Sequence, residues 1–326
     1  MDYLSQAGSK FAQAGAALAV FFGLLLILFF IGARIRGRAQ GPVALVVMIG
    51  PAIVLLIAGL IVPAIQTINR SMYDSSGKKF VGGSNYGWVF STPDNWIVLR
   101  NTALWLVIAP LLSTALGLTL ALLMDRMRRE SIPKSLIFMP MAISFVGAGI
   151  IWNLVYEYRS PDQPQVGLLS QVAMWFGVDD PPNWILSQPW NNFLLMVIMI
   201  WIQTGFAMVV LSAAIKAIPG DVVEAAMLDG ATGWRLFTKV TIPMIRTTVI
   251  VVLTTIMIAV LKIFDIVQTM TGGNFGTNVL ANAMYEQSFT QDSKGRGAAL
   301  AVVLFVAVLP IVIYNVIQLR KERAIR

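Results

Sequence analysis

The sequence predicts an all-α, polytopic membrane protein with seven transmembrane helices, and three observations carry that expectation. Apolar stretches long enough to cross about 30 Å of hydrocarbon recur along the whole chain. Only 12% of the 326 residues are charged and 57% are hydrophobic, against about 25% charged in a soluble domain. Lys and Arg gather in alternate connections between the stretches, as orientation in a membrane requires. Helix is the form such spans take, because an open strand in lipid leaves its N–H and C=O groups unpaired.

The first span is expected at 11–33. One Lys precedes it and "RIRGR" follows it directly, so it reads as an anchor rather than a cleaved signal. The remaining spans are expected at 43–68, 97–124, 135–157, 193–217, 247–268 and 298–318. Residues 69–96 are rich in Gly, Ser and Asn, and 158–192 contain "SPDQPQ" and "DDPPNW". Both read as loops with turns. Trp152, Trp184, Trp190 and Tyr156 fall where an aromatic belt is expected. In the fourth span, Pro140 with Gly147 and Gly149 allows a bend and close helix packing. The connections on one side hold fifteen Lys and Arg and those on the other hold eight. The richer side is the cytoplasmic one, which puts the N-terminus outside and the C-terminus inside.

The chain has no Cys and no His. Thiol chemistry, disulfides, the usual zinc sites and imidazole acid–base catalysis are excluded. No GxxxxGK[ST] phosphate loop is present, which argues against ATP hydrolysis by this chain. The net charge of +8 comes from residues flanking apolar spans, not from the continuous basic patch that nucleic acid needs.

The connection "PGDVVEAAMLDGATGWRLFTKVTIP", 219–243, interrupts two very apolar spans. Pro219 and Gly220 stop the fifth span. Asp221 is placed to cap a helix over 222–228, with Glu224 at capping-box spacing. Gly230 supplies the C-terminal stop. Thr232 can cap a second short helix, which Pro243 ends before the sixth span. A two-turn helix is marginal alone in water. It therefore lies on the membrane surface or docks against a partner.

This stretch resembles the EAA motif of carbohydrate ABC importer permeases, of the maltose, α-glucoside and trehalose type. Glu224, Ala225, Ala226 and Gly230 fall in place, nine residues follow, and Val240, Ile242 and Pro243 close the pattern. "LDGA" at 228–231, which includes Asp229, and Trp234 with Phe237 resemble the same branch. So do "FMPMAISFVGAGIIW" at 138–152 and "FDIVQTMTGGNF" at 264–275, where the usual TGGGP reads TGGNF. The resemblance covers roughly 43–318. It implies a type I importer core of six spans in residues 41–320, an extra anchor in 1–40 and a cytoplasmic tail in 321–326. It also implies a coupling helix carrying Glu224, Ala225, Ala226, Asp229, Gly230 and Pro243. The implied partners are a second permease subunit, two copies of an ABC ATPase and an extracytoplasmic sugar-binding protein. ATP and Mg would sit on the ATPase subunits, with no cofactor on this chain.

A neutral sugar needs hydrogen bonds and aromatic faces in a partly dry cavity. Lys262, Phe264, Asp265 and Gln268 of the sixth span offer such groups. Lys262 and Asp265, three apart, are expected on one helix face, as a structural ion pair or on the pathway. Gln203 and Phe206 of the fifth span and Asn153 and Tyr156 of the fourth complete the candidate set. Two rival readings are an ion-coupled secondary transporter relaying through Lys262 and Asp265, and a membrane anchor or sensor. Inverted repeats, the mark of the first, are not visible.

Overall fold

The computed structural model describes residues 40–125, 127–160 and 162–325, with isolated positions between 15 and 30. Apart from those positions, the expected anchor 1–40 and its span 11–33 lie outside the described residues. The chain divides into two compact units, Met1–Asn69 and Arg70–Arg326.

The first unit holds α1, Gln40–Leu56, which passes through a π-helical turn, Ile57–Ile61, into α2, Val62–Arg70. Val62 N–H bonds to Ile57 C=O, five residues back. Pro63 follows at once. A proline has no N–H and collides with the carbonyl four residues before it, and the wider turn takes up that misfit.

In the second unit, α3 (Ser84–Ser91) leads through Thr92 into α4 (Pro93–Met124), which packs along α8 (Trp190–Lys216). Small residues set the approach of these helices. A Cβ built on Gly117 would lie 2.5 Å from Ala207 Cβ and 2.7 Å from Met208 N, and one on Gly205 would lie 2.5 Å from Ile137 O. Only glycine permits backbones this close. Trp105, Leu195, Met199, Met208 and Ile256 fill the core around that seam. One polar pair crosses it: Trp105 Nε1 donates to Asn192 Oδ1 at 2.8 Å.

The fourth span is two helices, not one. α5 (Ser131–Phe138) continues through a 3-10 turn, Met139–Ala142, and then the chain turns by 104° into α6 (Phe145–Val155). Pro140 lies in the tight turn. Ser144 is extended and its Oγ accepts from Gly147 N–H at 3.0 Å, starting a new helix. The bend and the close packing both occur, since a Cβ on Gly149 would sit 3.0 Å from Thr269.

The sixth span also departs from expectation. α10 (Trp234–Leu236), a π-helical turn (Phe237–Thr241) and α11 (Ile242–Leu261) form one continuous run. Pro243 does not end a helix. Ile242 N–H reaches back five residues to Phe237 C=O, at the same spacing before proline as in the first unit. The run breaks at Lys262–Phe264, and α12 (Asp265–Met270) starts afresh. Further on, α13 (Leu280–Tyr285) leads by another π-helical turn, Glu286–Thr290, to α14 (Lys294–Ile325). Asn315 of α14 donates to Thr254 of α11 at 2.8 Å. α14 continues through Ile325, so most of the expected tail 321–326 is the end of this helix.

Five helices among the described residues are long and apolar enough to cross a membrane, or six if the bent pair counts as one broken span. The loops expected at 69–96 and 158–192 contain short helices absent from the sequence reading, α3 and α7 (Leu168–Trp175). Two residues expected in an aromatic belt are tied inward. Tyr156 is 2% exposed and donates to Leu194 C=O at 3.0 Å, and Trp184 Nε1 donates to Ser170 Oγ at 2.9 Å.

Candidate coupling loop and translocation face

The loop between α8 and α11 is built around α9, Gly220–Leu228. Its N-cap is Pro219, with no side-chain cap bond, so Asp221 and Glu224 form no capping box. Asp221 falls in the first turn instead, where an acidic group favours the positive end of the helix. The C-terminus matches expectation. Gly230 has φ +80°, Ala231 N–H bonds to Ala226 C=O and Gly230 N–H to Met227 C=O. These two bonds make a Schellman stop. The second helix is capped by Gly233 at φ 50°, ψ −118°, not by Thr232.

No residue of α9 is buried within this chain. Glu224, Ala225 and Asp229 are exposed. Leu228 is 90% and Trp234 75% exposed. A nine-residue helix that gains so little from its own chain needs a surface to lie against.

At the base of this loop is a charged ring that the sequence reading missed. Lys134 of α5 donates to Asp125 Oδ1 at 2.5 Å, to Glu130 Oε2 at 2.9 Å and to Ser212 Oγ at 2.6 Å. Ser212 of α8 donates in turn to Asp125 Oδ1 at 2.6 Å. Lys216, the last residue of α8, bonds to Glu130. The bonds from Lys216 and Lys134 hold the Glu130 carboxyl down at about 2. Lys134 and Lys216 had entered the sequence reading only as topology signals. Glu130 and Asp125 lie only four and nine residues from Lys134, but the bonds to α8 span 78 and 86 residues, and no local spacing reveals those.

The pathway candidates are divided. Lys262 closes α11 and Asp265 opens α12. The helix break separates them, so the expected shared face does not exist. No salt bridge joins them among the described residues. Phe264 lies in the break, with its ring centroid 4.7 Å from that of Tyr285, which stands 5.1 Å from Phe289. α12 packs on α6, the helix that carries an exposed Asn153. Gln203 and Phe206 lie on α8, where Gln203 is 8% exposed and makes no hydrogen bond among the described residues. Tyr156 is turned into the core with its hydroxyl already used.

The loop around "TGGNF" is held from both sides. Gly272, Gly273, Phe275 and Gly276 all have positive φ. Asn191 Nδ2 donates to Phe275 C=O at 2.8 Å, and Asn101 Nδ2 to Gly276 and Asn278 C=O at 2.7 and 3.0 Å. A polar cavity of about 480 Å³ opens beside this loop, bordered by Trp88, Asn274 and Arg296. The Arg296 guanidinium lies 4.6 Å over the Trp88 ring.

Residues 113–326 match the family described as binding-protein-dependent transport system inner membrane component. The chain is 46% identical over 276 residues to the osmoprotective compounds uptake permease protein GgtC of Synechocystis sp., covering 85% of this chain and 99% of that protein. It is 47% identical to the alpha-glucoside transport system permease protein AglF of Rhizobium meliloti, over 84% of this chain and 82% of AglF. It is 30% identical to the trehalose/maltose transport system permease protein MalF of Thermococcus litoralis, over 80% and 88%. A chain of a crystallised bacterial alginate ABC transporter, in complex with alginate pentasaccharide-bound periplasmic protein, superposes with a TM-score of 0.73. It is 21% identical, over 85% of this chain and 94% of that one, a likeness of fold.

Proposed function

Because the chain belongs to the family of binding-protein-dependent transport system inner membrane components, we propose that it is the sugar-conducting permease subunit of an ATP-driven importer. Its substrate is an α-glucoside, a disaccharide of the maltose or trehalose kind. The exposed, unpartnered α9 with its Schellman stop carries the reading: it is a helix built to be covered. Two similar relatives, which carry alpha-glucoside and trehalose/maltose in their names, support the substrate class.

A second permease chain forms the other half of the pathway, and an extracytoplasmic binding protein delivers the sugar. Two ATPase subunits hold ATP and Mg; this chain binds neither. The N-terminus lies outside and the C-terminus in the cytoplasm, with α9 facing the ATPase. Closure of the ATPase dimer moves α9 as a rigid body, and α8 and α11, which flank it, turn and change the side to which the pathway opens. Gln203, Phe206, Asn153, Lys262, Phe264 and Asp265 line that pathway. Tyr156 supports it by packing. The ion-coupled alternative has no observation in its favour, since Lys262 and Asp265 flank a helix break and do not pair.

The test is reconstitution of this chain with its permease partner, ATPase and binding protein, and ATP-dependent uptake of a sugar panel. Glu224→Lys reverses a charge on the docking face. Gly230→Pro cannot adopt φ +80°. Both are expected to insert normally and to lose ATPase assembly or uptake. Unchanged uptake by both variants, or active uptake by the solitary chain, overturns the proposal.

A further inference from the structure

We propose that Lys134 is a positioning residue that joins the end of α8 to the α4–α5 corner, so that a displacement of α9 reaches the bent pair α5–α6. The inference rests on the reading of α9 as the ATPase-facing helix. Its own observation is the charged ring.

Three residues, Ala217 to Pro219, separate the end of α8 from the start of α9. So short a link leaves little slack. Whatever moves α9 therefore pulls on the last turn of α8. That turn carries Ser212 and Lys216, four apart and on one face. Each meets a carboxylate of the corner: Ser212 bonds Asp125 and Lys216 bonds Glu130. Lys134 bonds both of these acids and Ser212 as well. Each acid is thus held by Lys134 and by α8, and Lys216 also stands 4.0 Å from Asp125 Oδ1. Two acids and two lysines balance in charge. The side chains of Lys134 and Asp125 are 16% and 13% exposed, so this pair is screened by water less than a surface ion pair is.

α5 is fastened to α8 a second time higher up, where Gly205 admits the backbone of Ile137 and Phe138. Held at two levels, α5 follows α8 as a body. It passes that motion through the 104° bend to α6. α6 bears on α12 where Gly149 meets Thr269, and α12 begins at Asp265, beside the break at Lys262–Phe264. An unbroken line of packed elements thus runs from the coupling helix to the pathway candidates. Such a line is a claim about coupling, and coupling has to be measured.

The experiment compares sugar moved per ATP hydrolysed in the reconstituted complex. The variants are Lys134→Met, Lys134→Arg and the double variant Ser212→Ala/Lys216→Met. The double variant removes both bonds from α8 to the acids and leaves Lys134 with Asp125 and Glu130. Lys134→Met and the double variant are expected to keep sugar-stimulated ATPase activity while sugar per ATP falls by about tenfold. Lys134→Arg is expected to restore most of it. A merely structural role lowers uptake and ATPase together and leaves the ratio unchanged, which overturns the inference. If Lys134→Met does not assemble, the double variant decides by the same ratio. A wild-type complex with no ATP-dependent uptake defeats the parent reading instead.

Discussion

Gln203 of α8 is 8% exposed and makes no hydrogen bond among the described residues, and its amide is not among the fully enclosed unpaired groups, so water or a ligand can reach it. A polar group in that state costs free energy unless water or a ligand meets it. The neighbouring polar side chain is satisfied, since Thr204 Oγ1 donates to Ile200 C=O at 2.7 Å. Under the proposed function, Gln203 is the group of α8 that would hydrogen-bond a sugar hydroxyl. Replacing it with Leu removes the amide and nearly keeps the volume. The expected outcome is a complex whose thermal midpoint holds or rises while KM for the sugar rises about tenfold, the worth of one hydrogen bond. A drop in midpoint with KM unchanged would make Gln203 a packing residue. At this scale the sequence was most legible where a residue acts on its own backbone. Gly230 was readable because a helix stop needs φ > 0. Asp221 was misread because Pro219 already supplies the turn into the helix. The closure of the Lys134 ring was illegible because Ser212 and Lys216 come from α8, far along the chain from the corner they meet.

Helices meet here through gaps in their own surfaces, and Gly117 is the clearest case. Its α-carbon stands where Ala207 and the Met208 backbone leave no room for a methyl group. Backbone cannot swing aside as a flexible side chain can. Gly117→Val therefore forces α4 away from α8, at a cost of about 1–3 kcal/mol or more. Gly59→Ala, where nothing lies within 4 Å of the added atom, is the control. Thermal unfolding of the two variants in detergent should show a clear loss for the first and almost none for the second. Span positions were legible at this scale, because apolar length is dictated by the bilayer. The bend after Pro140 and the break at Lys262–Phe264 were not, because the apolar stretch resumes on both sides of each. What decides them is local: a serine cap at Ser144, and a three-residue interruption around a lysine. Proline misled in the opposite direction. Pro243 reads as a terminator, yet one π-helical turn before it keeps the run continuous.

The whole molecule is an asymmetric object in a symmetric-looking bilayer, and its charges say which way it stands. Fifteen Lys and Arg lie in the connections that include α9, and eight in the others. The bias is large enough to set orientation by the cytoplasmic preference for positive charge. On the proposed orientation, α9 and the charged ring stand on the cytoplasmic side and the "TGGNF" loop outside. The first span, which would complete the odd count of seven and put the N-terminus outside, falls mostly outside the described residues, so orientation has to be read from the loops. The absence of cysteine makes that direct, since any introduced thiol is the only one in the chain. Ser75 lies exposed in the loop after α2, and Thr232 lies exposed between α9 and α10. In intact cells a membrane-impermeant maleimide is expected to label Ser75→Cys and to spare Thr232→Cys. In inside-out vesicles the pattern is expected to reverse. Labelling of Thr232→Cys from outside would invert the molecule and set α9 on the wrong side of the membrane for a cytoplasmic ATPase. Coupling through α9 and Lys134 would then fail together with the orientation, because both depend on the energy source standing beneath that helix.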